Sequence, residues 1–326
     1  MKRQLRLTIV TVLSMFAAAV ADAQQVEEFS LVRENAFLLN PALAGMEGWI
    51  HGVGAFRRQF TRLEEAPYTA AFAMDGRITN KRLGLGGYLL HDQTGPTGKS
   101  GVTFACAYHF HLWKIRGARY TNRQSDHVIS VGLALGAVQY RLRGDKLQLN
   151  NPGDPGLAQA TATQIFPDAS AGIYYRYKQN FYIGISSPQI LGLNVNFRSA
   201  LGAAEIRRVQ HLNVLVGGKI AWYRGNFSID PVAAFRWAKG APPQGDIGLR
   251  WVVYRVFWIG ANYRSMQQMI FEGGFNAKDN FRISYAYDFN FSPYRQRIGA
   301  THEIALSFTV NKSSRIYRGV GPVLRF

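Results

Sequence analysis

Residues 281–291 read FRISYAYDFNF, with Phe281, Ile283, Tyr285, Tyr287, Phe289 and Phe291 on one parity and Arg282, Ser284, Ala286, Asp288 and Asn290 on the other. A strand turns successive side chains to opposite faces, so this segment is aromatic on one face and small and polar on the other. About ten residues is the length of a tilted strand that crosses an outer membrane. The alternation recurs from about Trp49 to Val310, and no second kind of element intervenes. The pattern predicts an all-β fold, a transmembrane antiparallel β-barrel of about 14 strands in an outer membrane.

With Gly, Pro, Asn and Asp as punctuation, the strands are expected near 50–60, 67–76, 82–92, 99–113, 127–141, 168–177, 180–187, 209–222, 226–237, 246–254, 256–264, 269–277, 281–291 and 301–310. Connections after even-numbered strands are mostly tight, as at Lys178-Gln179 and Arg255. Those after odd-numbered strands are often long, as at Leu142 to Pro167 and Pro188 to Arg208. Short periplasmic turns and longer external loops give that asymmetry. Lys114 to Asp126 departs from it, being a long polar link on the short side.

Residues 1–23 have the layout of a secretory signal: Lys2, Arg3 and Arg6, an apolar stretch from Leu7 to Val20, then Ala21-Asp22-Ala23, with cleavage expected after Ala23. Residues 24–48 form an amino-terminal periplasmic or plug segment, 49–310 the barrel and 311–326 a tail. Beyond residue 23 no apolar run approaches the roughly 20 residues of a spanning helix. The mean hydropathy of −0.11 fits a barrel, because every second strand residue faces inward. Net charge is +18; removing residues 1–23 takes away three basic residues and one acid and leaves +16. The arginines are spread over the wet parity of strands and the connections, not gathered in a run. Anionic lipid headgroups and acidic partners are therefore expected, and nucleic acid is not.

Cys106 shares the apolar face of its strand with Phe104 and Tyr108 and reads as a small hydrophobe. His109 and His111 share the opposite face, but two ligands from one strand do not make a metal site. Neither a metal, a cofactor nor a catalytic group is assigned. Arg264, Arg282, Glu272, Asp288 and Glu303 are inward charges of both signs, expected to neutralise one another across the lining. The inner parity is also rich in glycine, including Gly84, Gly86, Gly172 and Gly184. A wall so small implies sharp curvature or something packed inside, and Val26 to Leu43 is the candidate filling.

Several stretches resemble the PorP/SprF family of Bacteroidetes outer-membrane proteins, which is associated with type IX secretion and gliding motility. Asn40-Pro41-Ala42-Leu43-Ala44-Gly45 resembles the family's Asn-Pro-Ala segment ahead of the first strand, with Leu43 where an aromatic is common. Gly86 to Pro96 resembles its glycine-rich strand and turn, through Asp92, Gly95 and Pro96. Trp258 to Arg264 resembles a Trp-x-Gly-x-x-Tyr-Arg strand. Tyr285 to Asp288, followed by Gly299 to Leu306 with His302 and Glu303, resembles the family's ending. These motif positions are structural in character. The resemblance implies a non-enzymatic barrel that supports secretion or surface anchoring of a large cargo by protein–protein binding. The implied partners are type IX components, a secreted cargo with a type IX C-terminal signal, or both, together with outer-membrane lipid. A passive pore preferring anions is the competing expectation, and an adhesin acting through its long loops is a third.

Overall fold

A computed structural model describes residues 27–47, 50–78, 82–112, 127–143, 161–178, 180–192, 195–199, 202–206, 209–223, 226–265, 267–277, 280–291, 293 and 295–310. The signal region with Ala23, the link 114–126, most of the link after residue 142, and the tail 311–326 fall outside the described residues.

Seven strands follow one another first: β1 (Ile50–Arg58), β2 (Tyr68–Arg77), β3 (Leu83–Thr94), β4 (Thr97–Leu112), β5 (His127–Arg143), β6 (Thr161–Tyr177) and β7 (Phe181–Ser187). A separate hairpin, β8 (Val195–Ser199) and β9 (Gly202–Ile206), comes next. β10 (His211–Gly218) and β11 (Ile220–Trp222) both pair with β12, and together they make one stave interrupted at Lys219. The rest are β12 (Phe227–Ala238), β13 (Gln244–Val253), β14 (Phe257–Arg264), β15 (Gln268–Ala277), β16 (Phe281–Asn290) and β17 (Thr301–Val310). All neighbours are antiparallel, and β1 closes on β17 from Ile50↔Val310 to Arg58↔His302. The result is a closed cylinder of fourteen staves.

Closure follows from the solvent. Hydrocarbon offers no partner to an unpaired N–H or C=O, so a spanning sheet must have no edge. No helix among the described residues is long and apolar enough to cross a membrane, and the crossing falls to the strands. Burial separates the two parities cleanly. Phe104 is 70% exposed and Leu135 68%, whereas their strand neighbours Ala105 and Ala134 are buried. The outward set, with Ile247, Phe257 and Ile259, meets lipid; the inward set lines a lumen.

Two boundaries differ from the sequence reading. β6 begins at Thr161, so the link expected from Leu142 to Pro167 is shorter. Pro167 looked like a breaker because it lacks the N–H that a ladder uses. It sits in register opposite Ala137, in the part of β6 before Ala171 where, among the described residues, β5 is the strand that pairs with it. A proline is tolerated on such an edge. The link from Pro188 to Arg208, read as loop, contains the β8–β9 hairpin.

Residues 27–46 lie inside the cylinder. After an extended start they make helical turns, including the short helix α1 (Ala36–Leu39), and then a 3₁₀ turn over Pro41–Leu43. Phe29, Leu31, Ala36, Phe37, Leu43 and Met46 are buried there. The wall is small where this segment lies on it. A Cβ at Gly84 would overlap the Ala44 carbonyl, one at Gly132 the backbone of Pro41-Ala42, and one at Gly172 the Asn40 side chain. At Gly86 it would stand 2.6 Å from the Phe37 ring.

Gly132→Val should therefore unseat the inner segment and cost about 1–3 kcal/mol. Tryptic cleavage at Arg33 should rise, with heat-modifiable migration of the barrel retained. Gly245→Ala, where nothing lies within 4 Å of an added Cβ, should leave cleavage unchanged.

Candidate functional site

The lumen has two ends. Most of the tight connections mark one, where the Asn180 N–H closes on Tyr177 O and the Val256 N–H on Val253 O; β1 starts there. The other, the loop end, is where β1 finishes at Arg58.

At the loop end Glu303 is the focus. Its carboxylate accepts from the N–H groups of Ser30 (2.5 Å) and Leu31 (3.2 Å) and from the Asn35 side-chain amide (2.9 Å). Arg57 bridges Asp288 (3.1 Å) and Glu303 (3.3 Å), and Ser30 Oγ donates to Asp288 (2.7 Å). Arg264 donates to Asp246 through Nε and Nη2, both at 3.0 Å, to Glu28 (3.3 Å) and to the Phe29 carbonyl (3.2 Å).

Midway down, Arg250 is fully buried with its guanidinium 3.5 Å from the Trp258 ring centroid. It donates two bonds to Glu34, at 2.9 and 3.2 Å, and reaches Glu272 at 3.1 Å. Arg33 completes the cluster, pairing with Glu272 at 2.8 Å and donating to the Asp230 carbonyl at 2.7 Å. A bidentate guanidinium–carboxylate contact is the strong form of this interaction, and the dry surroundings strengthen it. Burial alone would push the Glu34 carboxyl up, but Arg250, with Arg282 and Arg33, holds it below the ordinary carboxylate value. Glu28 behaves alike: burial opposes, while Arg264, Arg236 and Arg57 bring it down.

Toward the turn end the segment presents backbone. Asn40 caps the 3₁₀ turn, its Oδ1 accepting from the Ala42 N–H at 2.9 Å, and its Nδ2 donates to Ile173 O at 3.2 Å. Pro41 takes the first position of that turn. Ser186 Oγ donates to Leu39 O (2.6 Å), Ser130 Oγ to Ala42 O (2.5 Å) and His109 Nε2 to Ala44 O (3.0 Å). The Gly45 N–H donates to Asp75 (2.7 Å), and the carbonyls of Gly45 and Met46 accept from Arg77. Gly45 has φ +70°, which glycine adopts without strain, and packs on Gly84.

Of the motif positions, Asn40, Pro41, Ala42, Gly45, Arg264, Asp288 and Glu303 thus meet along the seam between segment and wall. The others do not. His302 faces outward beside Tyr285, whose hydroxyl is 2.7 Å from its Nδ1. Asp92, on β3, accepts from Thr69 (2.6 Å). Gly95, at φ +54°, forms the β3–β4 turn with Pro96, whose carbonyl accepts from the Arg143 N–H. The charged lining does pair wall to wall, as at Arg264–Asp246 and Arg250–Glu272. It also pairs with Glu28, Arg33 and Glu34 of the segment, three residues that sequence reasoning did not single out. Their signal was the opposite charge of Arg250 and Glu272 on the inward parity. His109 is committed to the Ala44 carbonyl, and no group of His, Cys, Asp or Glu suited to a metal occurs among the described residues.

A family model described as "Type IX secretion system membrane protein PorP/SprF" matches residues 21–308. No curated protein matches the chain. Among solved structures it is similar to the P. putida toluene transporter TodX, at 9% identity and TM-score 0.48, over 86% of this chain and 95% of that one. A Pseudomonas aeruginosa FadL homologue matches at 10% identity and TM-score 0.47, over 84% and 93%. Acinetobacter baumannii Omp33 matches at 8% and 0.41, over 82% and 100%.

Glu34→Ala leaves Arg250 and Arg33 sharing the single carboxylate of Glu272, an uncompensated buried charge, and should cost about 3–5 kcal/mol. Hydrogen exchange over residues 29–40 should report it as lost protection. A carboxylate held low stabilises the fold above its unfolded value and stops doing so as pH falls through the folded one. Protection of this stretch should therefore hold at neutral pH and fall below about pH 4. Glu34→Gln should flatten that dependence.

Proposed function

This chain belongs to the PorP/SprF family of type IX secretion system membrane proteins, and from that premise we propose that it works by binding proteins and not by passing solutes. In this reading the outer-membrane barrel supports secretion or surface anchoring of a large cognate cargo within the secretion and gliding apparatus. Its partners are components of the apparatus, a cargo carrying a type IX C-terminal signal, or both, and lipid surrounds its aromatic exterior. The signal is removed after Ala23, and residues 24–48 act as the plug. No chemical step is assigned to it.

The observation that carries this reading is the state of the lumen. A passive pore preferring anions needs uncommitted positive charge along an open path. Arg250, Arg264 and Arg57 are instead ion-paired and buried among residues of the inner segment. What then faces outward is the lipid belt and the two ends. The stretches 144–160 and 188–210 are the longest connections at the loop end, and in this reading the partner is held there.

Two measurements test it. In planar bilayers the purified protein should stay closed, and a chain lacking residues 24–46 should conduct. Steady anion-selective current from the intact protein would favour the pore. Crosslinking in intact outer membranes should recover secretion components or cargo bearing the type IX terminal signal. Recovery of neither would overturn the binding role.

A further inference from the structure

The inner segment runs through the lumen in one direction, and the direction is the reverse of what its place in the chain suggests. Residues just before a first strand that starts at the turn end would be expected to arrive from that side. Glu27, however, pairs with Lys99 at 2.5 Å, Glu28 with Arg264 at 3.3 Å, and Ser30 with Asp288 and Glu303. Lys99 is the third residue of β4 and Glu303 the third of β17; Arg264 closes β14 and Asp288 lies near the end of β16. All four are loop-end positions. At its other extremity the segment meets Asp75 and Arg77, at the end of β2, and Gly84, at the start of β3. These are turn-end positions. Two independent sets of contacts fix the two ends of the segment at opposite mouths. The lengths permit it: residues 27–46, extended at first and then in helical and 3₁₀ turns, are long enough to cross the roughly 25 Å apolar band of a barrel.

We infer that the amino terminus of the mature chain leaves the lumen by the loop mouth and is presented at the cell exterior. The inference rests on the outer-membrane location and not on the cargo reading. Orientation comes from the connections. Most of the tight ones lie at the turn end and the two longest, 144–160 and 188–210, at the loop end, against which stand only the tight β3–β4 and β14–β15 turns and the long link 113–126. The side of the short turns is the periplasmic side of such barrels. Whatever precedes Glu27 must then leave on the side of the loops.

One consequence follows. A terminus produced in the periplasm reaches the exterior only if the barrel closes around the segment or the segment threads an already closed lumen. The contacts favour closure around it, because residues 28–46 bond to β1, β2, β4, β6, β7, β13, β14 and β17 alike.

Cysteine labelling in the full chain tests this. Cys106→Ser removes the single native thiol. Into that background go Gln25→Cys, Glu64→Cys in the exposed β1–β2 loop, and Arg82→Cys, exposed at the turn end. Heat-modifiable migration verifies that each variant folds. A membrane-impermeant maleimide applied to intact cells should label Gln25→Cys to the level of Glu64→Cys. Arg82→Cys should label only after the outer membrane is permeabilised. Labelling of Gln25→Cys that follows Arg82→Cys would overturn the inference. So would protection in intact and permeabilised cells with full labelling after denaturation, or an exchange of behaviour between the two reference positions.

Discussion

Hydrocarbon cannot hydrogen-bond, and every other feature of this molecule sits downstream of that constraint. A sheet whose edges are exposed to lipid would leave a row of N–H and C=O groups unsatisfied, at several kcal/mol each. The seam of β1 with β17 removes the edge by pairing nine consecutive positions, from Ile50↔Val310 to Arg58↔His302. Once the sheet is closed, the twofold period of a strand commits half of its side chains to lipid and half to an enclosed space. Outward residues need only be apolar and wide. Inward residues must fill a volume, and that volume determines what the chain can do.

A lumen can be filled by long side chains from the wall or by a separate segment, and this protein divides the task by side. On the arc from β3 to β6 the wall is pared to backbone at Gly84, Gly132 and Gly172, and residues 40–45 lie directly on it. On the arc from β12 to β17 it carries Arg250, Arg264, Glu272, Asp288 and Glu303, and residues 28–35 meet these with complementary groups. The segment therefore touches one arc through its main chain and the other largely through its side chains. A glycine wall fits one backbone path; a charged wall selects one pattern of charges.

The staves were legible because alternation is a local signal, readable within ten residues. Phe281 to Phe291 shows its two faces without reference to anything else. Even the outward turn of His302 beside the inward Glu303 follows from parity. Pro167 misled because a proline's tolerance depends on whether a neighbour asks for its N–H, and β7 stops short of it. The hairpin in 188–210 was missed because it pairs outside the main sheet. The site was legible by half. Inward charge at Arg264, Asp288 and Glu303 could be read from period, but their partners could not. The contact from Ser30 to Glu303 spans 273 residues, and an irregular segment has no period that would aim Arg33 or Glu34. Asn40-Pro41-Ala42 could be read as a turn. That the Ala42 carbonyl would be met by Ser130 and the Ala44 carbonyl by His109 could not.

The charge pairs also explain why segment and wall behave as one unit. A buried ion pair contributes little beyond an apolar pair of equal size, since both partners must first lose water. Removing one partner is a different matter. Arg250 without Glu34 keeps its desolvation cost and loses a two-point contact that includes its shortest bond to a carboxylate. Any shifted seating of the segment suffers the same penalty at Arg250, Arg33, Arg264 and Glu303 together, so misregistered arrangements are disfavoured far more than the correct one is favoured. A segment can leave such a site only if water enters to solvate the charges it abandons. With the segment seated these charges are buried and paired, and withdrawing it means hydrating them.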